Sequence, residues 1–532
     1  MEEGQVIRSA GVVGGYTMLS RALGLIRDIL MAGFFGTTLP MSAFVVAFTV
    51  PNLFRRLFGE GALSAAFVPV FIETREKEGE AEAWSVARNI LSMLTLFLSV
   101  IIVLGIVFIT LYLLRPGIGE KAAMTLPLLR IMLPYTLFIC LAAMCMAILN
   151  SYHHFATPAF APSLLNIVWI LAVLLVCPFL GDQPEQQIFG VAWAVLVAGM
   201  LQFGVQLPKM TSYGYRPGWS LQFRDRRVRR VFRLMGPASL GMAITQINVL
   251  IDRLMAVWIG PWAPAALFFS ERLIYFPQGI FATALSTVLL PVFSGHAARA
   301  DHDRILRTIN QSLRNLFYVM IPASIGLLVL ARPIVQMIFE WREFGETSTD
   351  FTALALMFYA PGLLVFSLSK VFVPAFYALQ DTRTPVKVAL FTVCLKIALS
   401  LLFILTWPLH LKHAGLALAT VLAEAVNGVV LAWLLHRRLG APGWGAVAAS
   451  VLRCLGASLV MAVCAVYAQR HILNALLGME AVPEKAAQIV AVLAAIVVGM
   501  GVYVAATVLM RSPEIRAILQ AVRKRFAPRA QG

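Results

Sequence analysis

Long apolar stretches separated by short polar connections make up most of the chain. A helix needs about 20 apolar residues to cross the hydrocarbon core of a bilayer. The pattern therefore predicts an all-α integral membrane protein whose spans pack as a helical bundle. We predict fourteen transmembrane helices, at approximately 8–34, 42–71, 86–114, 122–149, 158–180, 187–208, 229–259, 263–294, 305–331, 350–379, 384–407, 413–436, 445–469 and 485–510.

The two halves of the chain resemble each other at a nearly constant offset. The segment 28–32 resembles 252–256, 224 positions later, and Pro134 corresponds to Pro361, 227 positions later. Because the offset bridges six spans, an even number, both copies have the same orientation in the membrane. This indicates two parallel six-helix repeats with a substrate site between them. The last two spans fall outside the duplication.

Lysine and arginine are concentrated in alternate loops, which places both termini in the cytoplasm under the positive-inside rule. We expect the chain to divide into five parts on this basis. These are an N-terminal lobe at 1–210, a basic amphipathic cytoplasmic connector at 211–233, a C-terminal lobe at 234–440, the two extra spans at 441–511 and a basic cytoplasmic tail at 512–532.

Composition supports the membrane assignment: 60% of the residues are hydrophobic and 13% are charged. Soluble domains carry about 25% charged residues. The net charge of +17 follows from the basic cytoplasmic loops, so we expect no nucleic-acid partner. The six cysteines and eight histidines show no ligand spacing, so we expect no metal site.

Several arginines interrupt the predicted spans, and these are the most informative residues of the chain. Arg21 and Arg27 lie in the first span, Arg55 and Arg56 in the second, and Arg272 in the eighth. Each charge at a helix centre costs about 2.5–3.5 kcal/mol on insertion scales. They therefore predict a wet, protein-lined cavity that is cationic and takes an anionic substrate.

In the first span, Arg21 and Asp28 are seven residues apart and share one helical face, whereas Arg27 points about 120° away. Asp28 can neutralise one of the two guanidinium groups and leave the other to bind an anion. The alternative is an ion-paired kink that only stabilises helix packing.

In the second span, Arg56 and Glu60 have the i,i+4 spacing of an ion pair, which leaves Arg55 to face the cavity. The planar guanidinium binds phosphate in a bidentate way and stays charged in a poor dielectric. Arg272 is the contribution of the second half to the same chamber. Together they predict a phosphate or diphosphate headgroup as the ligand.

Three further charges within or near spans carry weaker signals. Lys370 either supports the cavity or extends towards the membrane surface, and Asp252 or Asp381 could hold a coupling cation. The alternatives are pairing of Asp252 with Arg253 and a cytoplasmic turn at Asp381. The chain has no phosphate-binding GxxxxGK[ST] loop and no HExxH or GxSxG motif, which argues against an ATP motor and an enzyme.

At these residues the chain resembles a known family, the MurJ (MviN) lipid II flippases of the multidrug/oligosaccharidyl-lipid/polysaccharide exporter superfamily. The similarity extends over the whole chain. The segments that carry it are SRALGLIRDILMAGFFG (20–36), VPNLFRRLFGEGALSAAFVPVF (50–71), ILNSYHHFATPAFAPSLLN (148–166), SERLIYFPQGIFATALSTVLLP (270–291) and FYALQDTRTPVKVAL (376–390).

The resemblance implies two six-helix lobes around a cationic cavity, with spans thirteen and fourteen forming a groove for the polyprenyl tail. The essential arginines of the family fall on Arg21, Arg27, Arg55 and Arg272, and Asp28, Asn52 and Glu60 match its motif positions. Ser42 and Tyr275 stand where some relatives have acidic residues, and Thr49 where a lysine is often found.

The function implied is transport of lipid II, an undecaprenyl-diphosphate-linked disaccharide peptide, by alternating access across the bacterial inner membrane. We expect no cofactor; membrane potential or a monovalent cation would supply the driving force. The expected partners are lipid II, membrane lipids and cell-wall synthesis enzymes, and the expected functional unit is a monomer. The alternatives are a flippase for another polyprenyl-diphosphate oligosaccharide, a drug/cation antiporter, and a scaffold for cell-wall enzymes.

Overall fold

The computed structural model describes residues 3–59, 62–479 and 482–516, and these residues form helices and no strands. The predicted all-α class is confirmed. The α-helices are, in chain order, α1 Glu3–Phe35, α2 Leu39–Phe54, α3 Ala62–Glu78, α4 Glu80–Leu113, α5 Glu120–Met132, α6 Tyr135–Ser151, α7 Ala156–Leu171, α8 Pro184–Gly204, α9 Leu207–Ser212, α10 Arg226–Ile259, α11 Ala263–Pro277, α12 Thr283–Ala298, α13 His302–Val329, α14 Ala331–Phe339, α15 Glu346–Tyr359, α16 Gly362–Ala378, α17 Arg383–Thr406, α18 Lys412–Leu439, α19 Trp444–Leu477 and α20 Glu484–Leu509.

Within the described residues, ten helical stretches are long and apolar enough to cross a membrane. The number rises to twelve if each of two bent helix pairs, α5 with α6 and α15 with α16, forms one span. Neither α1 nor α10 is among the twelve, although both are more than 30 residues long. Both carry charged residues within their length, and the predicted count of fourteen requires both to span as well.

Proline accounts for several of the breaks in these helices, because it removes a backbone donor and its ring clashes with the preceding turn. The bends between α5 and α6 (41°) and between α15 and α16 (45°) fall at Pro134 and Pro361. Wider π-helical turns occupy Arg55–Gly59, shortly after Pro51, and Gln278–Ala282, directly after Pro277. Such turns re-aim the side chains they carry.

The chain folds into two compact units. Unit 1 comprises Met1–Ala265 together with Trp341–Phe344, and unit 2 comprises Ala266–Glu340 and Gly345–Gly532. In unit 1, α1 packs on α7, α2 on α5, α6 on α8, and α10 on α3. In unit 2, α19 packs on α20 and α13, and α17 and α16 pack on α18.

An apolar cluster fixes α13, α19 and α20 to one another inside unit 2. Ile321, Cys454 and Met461 are buried in it, and the Tyr503 hydroxyl donates to the Tyr318 carbonyl over 2.7 Å. Next to Ile515 of this cluster, Glu514 accepts hydrogen bonds from Arg314, Ser450 and Ser512 and is 3% exposed. Burial opposes ionisation of this carboxyl, but the three donors hold its pKa below the ordinary value.

The basic connector ends in helix. Asp225 caps α10 by accepting from the backbone N–H of Arg227 over 2.7 Å, and hydrogen bonds from the Arg227 side chain lower the pKa of Asp225. The Arg227 guanidinium also donates to Glu78 and Glu82, each over 2.8 Å. Part of the predicted basic surface is therefore engaged in ion pairs inside unit 1.

Candidate functional site

Arg27, one of the predicted cavity cations, is held by three side-chain hydrogen bonds. Its Nη2 and Nε donate to Asp28 Oδ1 over 2.7 and 3.0 Å, and its Nη1 donates to Asn166 Oδ1 over 2.9 Å. The exposed fraction is 9% for Arg27 and 5% for Asp28. One carboxylate thus compensates one guanidinium, and the amide of α7 orients it.

Asn166 connects α7 to α1 at the level of this ion pair. Its Nδ2 donates to the Ser20 carbonyl over 2.9 Å, one turn before Gly24. A Cβ at Gly24 would lie 3.8 Å from Asn166 Nδ2, so the two helices approach closely here. An amide with both its oxygen and its nitrogen engaged across α1 fixes the rotation of that helix relative to α7.

Trp169, three residues after Asn166 on the same face of α7, packs against the Arg27 guanidinium. The guanidinium carbon lies 4.6 Å from the indole centroid, within the range of a cation–π interaction. The indole Nε1–H donates to the Met31 sulfur over 2.9 Å. Trp169 therefore contacts two successive turns of α1.

An aromatic series continues from Trp169 into α2. The Trp169 ring packs edge-on against Phe44 and Phe48, with centroids 5.1 and 5.4 Å apart. One turn later, Asn52 Nδ2 donates to the Phe48 carbonyl over 3.1 Å, and Asn52 Oδ1 accepts from Arg55 Nε over 3.3 Å. Arg27 and Arg55 are thus joined by one continuous path of contacts through unit 1.

The predicted partners around the second arginine pair are only partly described. Arg55 is half-buried and Arg56 is exposed, both in the π-helical turn that follows α2. Glu60, the predicted partner of Arg56, lies outside the described residues. The π-turn displaces these side chains from the spacing of a regular helix.

Arg21 is exposed, and the described residues show no hydrogen bond or ion pair to it. Asp28 pairs with its neighbour Arg27 rather than with Arg21, which shares its helical face. Arg21 is therefore the accessible cation of α1. The choice between an anion-binding role and an ion-paired kink in this helix stays a prediction.

In unit 2, the Arg272 guanidinium lies over the Phe268 ring at 4.4 Å, one helical turn earlier on α11. Its neighbour Glu271 accepts a hydrogen bond from the Tyr359 hydroxyl over 3.3 Å. Tyr275, one of the departures from the family pattern, is 53% exposed. Arg272 is partly buried and is positioned by an aromatic face on its own helix.

The other two departures make hydrogen bonds within unit 1, one to a distant part of the chain and one to the preceding helical turn. The Ser42 hydroxyl accepts from the Ala265 backbone N–H over 3.2 Å, and the Thr49 hydroxyl donates to the Val45 carbonyl over 2.8 Å. Both are neutral, so neither adds charge near Asn52 and Arg55.

The weaker candidates have distinct environments. Lys370 lies partly exposed on α16. Asp381 caps α17: its carboxylate accepts from the Thr384 backbone N–H (3.0 Å), from the Thr384 hydroxyl (2.8 Å) and from Arg438 (2.9 Å). Asp252 is half-buried on α10, next to the buried Arg253. The part of the chain that the structure describes contains no cluster of three metal-ligating side chains.

A polar cluster in unit 2 was not predicted from the sequence. Glu424 Oε2 on α18 accepts from Ser369 on α16 (3.3 Å) and from Asn427 (3.1 Å). Asn166 and Trp169 were also missed. An isolated asparagine in an apolar helix, with an aromatic residue one turn away, was the signal available for them.

The comparisons with known proteins agree on one family. The family description "Lipid II flippase MurJ" matches residues 31–511. "Lipid II flippase MurJ" of Burkholderia cenocepacia is 33% identical over 469 residues, covering 86% of this chain and 89% of the relative.

Two solved structures extend the comparison. The structure titled "Lipid II flippase MurJ, inward closed conformation" matches with a TM-score of 0.75 and 25% identity, covering 94% of this chain and 98% of that one. An inward-facing multidrug resistance MATE family transporter of the MOP superfamily has a TM-score of 0.65 and 14% identity, covering 81% of this chain and 98% of that one. The second likeness concerns the fold alone.

Proposed function

The chain belongs to the MurJ family of lipid II flippases, and on that premise we propose that it carries lipid II from the cytoplasmic to the outer leaflet of the bacterial inner membrane. The family consists of transporters, not enzymes. The finer parts of the proposal are a cationic cavity that binds the diphosphate, alternating access, and cytoplasmic termini.

The observation that carries the proposal is the environment of Arg27. A guanidinium inside a lipid-spanning helix is costly, so a chain keeps one only where it is paired and useful. Asp28 balances its charge, while Asn166 and Trp169 orient it. A further cation brought near this group, such as the exposed Arg21, gives the site a net positive charge.

Diphosphate binding follows from the chemistry of these groups. Guanidinium forms short, charge-assisted hydrogen bonds to phosphate oxygens, often two at once. We propose that Arg21, Arg27, Arg55 and Arg272 bind the headgroup, with Asn52 positioning Arg55 and Asp28 positioning Arg27. Arg56, Glu60 and Lys370 have supporting or gating roles in this proposal.

The tail of the substrate requires a separate, apolar surface. Large hydrophobic side chains of α19 and α20 are exposed, among them Leu459, Val463, Leu493 and Val497. Soluble proteins rarely leave such a surface uncovered, whereas lipid chains cover it well. We propose that these two helices bind the polyprenyl chain while the headgroup crosses.

Internal similarity supports alternating access by two repeats. The bent pairs begin at Glu120 and Glu346, which are 226 positions apart, and two of the three π-helical turns of the described residues begin at Arg55 and Gln278, which are 223 positions apart. Parallel repeats of this kind form a site between them and alternate access by moving against each other. With α1 and α10 included, the number of spans would be fourteen.

Membrane potential is the driving force in this proposal. An inside-negative potential favours outward movement of an anion by about 2.3 kcal/mol per charge per 100 mV. Coupling to a monovalent cation at Asp252 or Asp381 is the alternative. The carboxylate of Asp381 already accepts three hydrogen bonds, so cation binding there would have to displace them.

The test combines cells and proteoliposomes. Cells depleted of their own flippase are complemented with this chain, with Arg27→Ala, and with Arg115→Ala, whose guanidinium lies over Tyr112 at 5.5 Å outside the proposed site. We expect rescue by the parent and by Arg115→Ala, and loss of rescue with Arg27→Ala.

In proteoliposomes, the transport rate of fluorescent lipid II is compared with that of an undecaprenyl-diphosphate O-antigen unit. Full rescue by Arg27→Ala would overturn the binding role, and preference for the O-antigen unit would overturn the substrate.

A further inference from the structure

Four residues depart from the division of the chain into two units. Trp341–Phe344 belongs to unit 1, although the residues before and after it in sequence belong to unit 2. The segment connects α14 to α15 and packs on the last two turns of α1. We call Trp341–Phe344 the clasp.

Backbone hydrogen bonds attach the clasp to α1. The Glu343 N–H donates to the Gly33 carbonyl over 3.0 Å, and Trp341 Nε1–H donates to the Ile29 carbonyl over 3.1 Å. Ile29 directly follows Asp28, the residue that pairs with Arg27. The clasp therefore contacts the same helix as the proposed binding site, one turn further along.

Two glycines make room for the clasp. A Cβ at Gly33 would lie 1.9 Å from Trp341 Cε2, and one at Gly36 would lie 2.5 Å from the Glu343 carbonyl oxygen. Gly36 also has a φ of +52°, in the left-handed region that favours glycine. Any larger side chain at either position would push the clasp away from α1.

Aromatic and cationic side chains add to the contact between the clasp and α1. The Arg342 guanidinium lies 4.4 Å from the Phe34 centroid, and Phe34 packs edge-on against Trp341 at 6.1 Å. Arg342 adopts a φ of +51°, a conformation that a non-glycine residue keeps only when its surroundings hold it there. Phe344 is fully buried. The clasp is thus a closed, specific contact and not a loosely placed loop.

We propose that the clasp is a gate element that must release α1 in each transport cycle. The inference rests on the proposed function, in which the halves move and the C-terminal end of α1 faces the outside. Because the chain enters and leaves the clasp through α14 and α15, movement of those helices pulls on the bonds at Gly33 and Ile29. Release of these bonds detaches the last two turns of α1 from the clasp, while Asn166 and Trp169 keep Arg27 on α7.

Cross-linking tests whether release is required. In a background lacking the six native cysteines, Phe34→Cys and Arg342→Cys are joined by a short bis-maleimide, and transport of fluorescent lipid II is measured in proteoliposomes. The control pair is Glu73→Cys with Lys77→Cys, one turn apart on α3. We expect cross-linking to lower the rate at least tenfold for the clasp pair and to leave the control pair unchanged. Equal transport by both cross-linked pairs would overturn the proposal.

A second readout does not depend on the substrate. A single Phe344→Cys should react with a water-soluble maleimide in membranes, and Trp341→Ala should increase the labelling rate several-fold. Phe339→Cys on α14, fully buried in unit 2, is the matched control and should not respond to Trp341→Ala. If Trp341→Ala leaves the labelling rate of Phe344→Cys unchanged, the proposal that the clasp is a releasable gate element is overturned. Absence of lipid II transport by the parent chain and by every variant before cross-linking, with the labelling pattern intact, would instead contradict the proposed function.

Discussion

Arg27 and Asn166 lie 139 positions apart in sequence and are joined by a hydrogen bond of 2.9 Å between Nη1 and Oδ1. Asn166 also donates to the Ser20 carbonyl, so a single amide holds both the guanidinium and the helix that carries it. Asn166 therefore adds a third hydrogen bond to the two that Arg27 donates to Asp28, and it does so from a different helix.

Replacement of Asn166 by alanine should therefore weaken lipid II binding while Arg27 stays in place. A buried hydrogen bond to a charged group contributes about 1.5–3 kcal/mol. We expect a tenfold or greater loss of affinity in a binding assay with lipid II in detergent. Asn150→Ala, at an exposed position near the end of α6, is the control and should bind like the parent. Unchanged affinity in Asn166→Ala would show that Asp28 suffices to orient Arg27.

Two substitutions of Trp169 separate its contributions. Trp169→Phe keeps an aromatic face under Arg27 but loses the donor to Met31, whereas Trp169→Leu loses both. Cation–π contacts contribute about 0.5–2 kcal/mol. We expect Trp169→Phe to retain most of the transport rate and Trp169→Leu to lose several-fold, measured in proteoliposomes. Equal rates in the two variants would mean that the indole face does not support Arg27.

The sequence was sufficient for the all-α class, because the length of its apolar stretches predicts membrane-spanning helices, but the predicted count of fourteen exceeds the ten to twelve candidate spans among the described residues. The bends at Pro134 and Pro361 were not predicted. The sequence also could not choose the partner of Asp28. Helical spacing favours Arg21, but the long side chain of Arg27 curls back to its neighbour and is held there by α7. Contacts made by residues far apart in sequence decide that choice, and no local pattern contains them.

The contacts of Gly33 lead to a prediction for α1. A methyl group at this position would meet the Trp341 ring at 1.9 Å, whereas one at Gly15, earlier on the same helix, would meet nothing within 4 Å. Gly33→Ala should therefore displace the indole and lower the midpoint of thermal unfolding by several degrees. Gly15→Ala should keep or raise the midpoint, because alanine favours the helix by about 1 kcal/mol. Identical midpoints for the two variants would contradict the close packing at Gly33.

Asp381 provides a test between a capping role and a coupling role. Asparagine also caps helices well, so Asp381→Asn should preserve the start of α17, while Asp381→Ala should cost about 1 kcal/mol of stability. We expect both variants to transport lipid II with the same dependence on monovalent cations as the parent. A lost or altered cation dependence in Asp381→Asn, in proteoliposomes with imposed gradients, would assign the coupling role to this carboxylate.

Glu514 should make the stability of unit 2 depend on pH. Hydrogen bonds from Ser512, Arg314 and Ser450 depress its pKa despite burial, so the ionised form stabilises the folded state. Removing one partner of a buried pair costs roughly 3 kcal/mol. The difference in thermal unfolding midpoint between the parent and Glu514→Gln should have its largest value above about pH 4.3, the ordinary glutamate pKa.

As the pH falls through the lowered pKa of Glu514, the carboxylate of the folded state gains a proton and the gap should close. Glu346→Gln is the control at neutral pH, because its ion pair with Arg332 is mostly exposed and such pairs contribute about 0–1 kcal/mol. A difference for Glu514→Gln that stays constant from neutral pH to pH values well below 4.3 would mean that the loss of an acceptor oxygen, and not the loss of charge, causes the destabilisation. The measurement needs only thermal unfolding curves of the detergent-solubilised chain at a series of pH values.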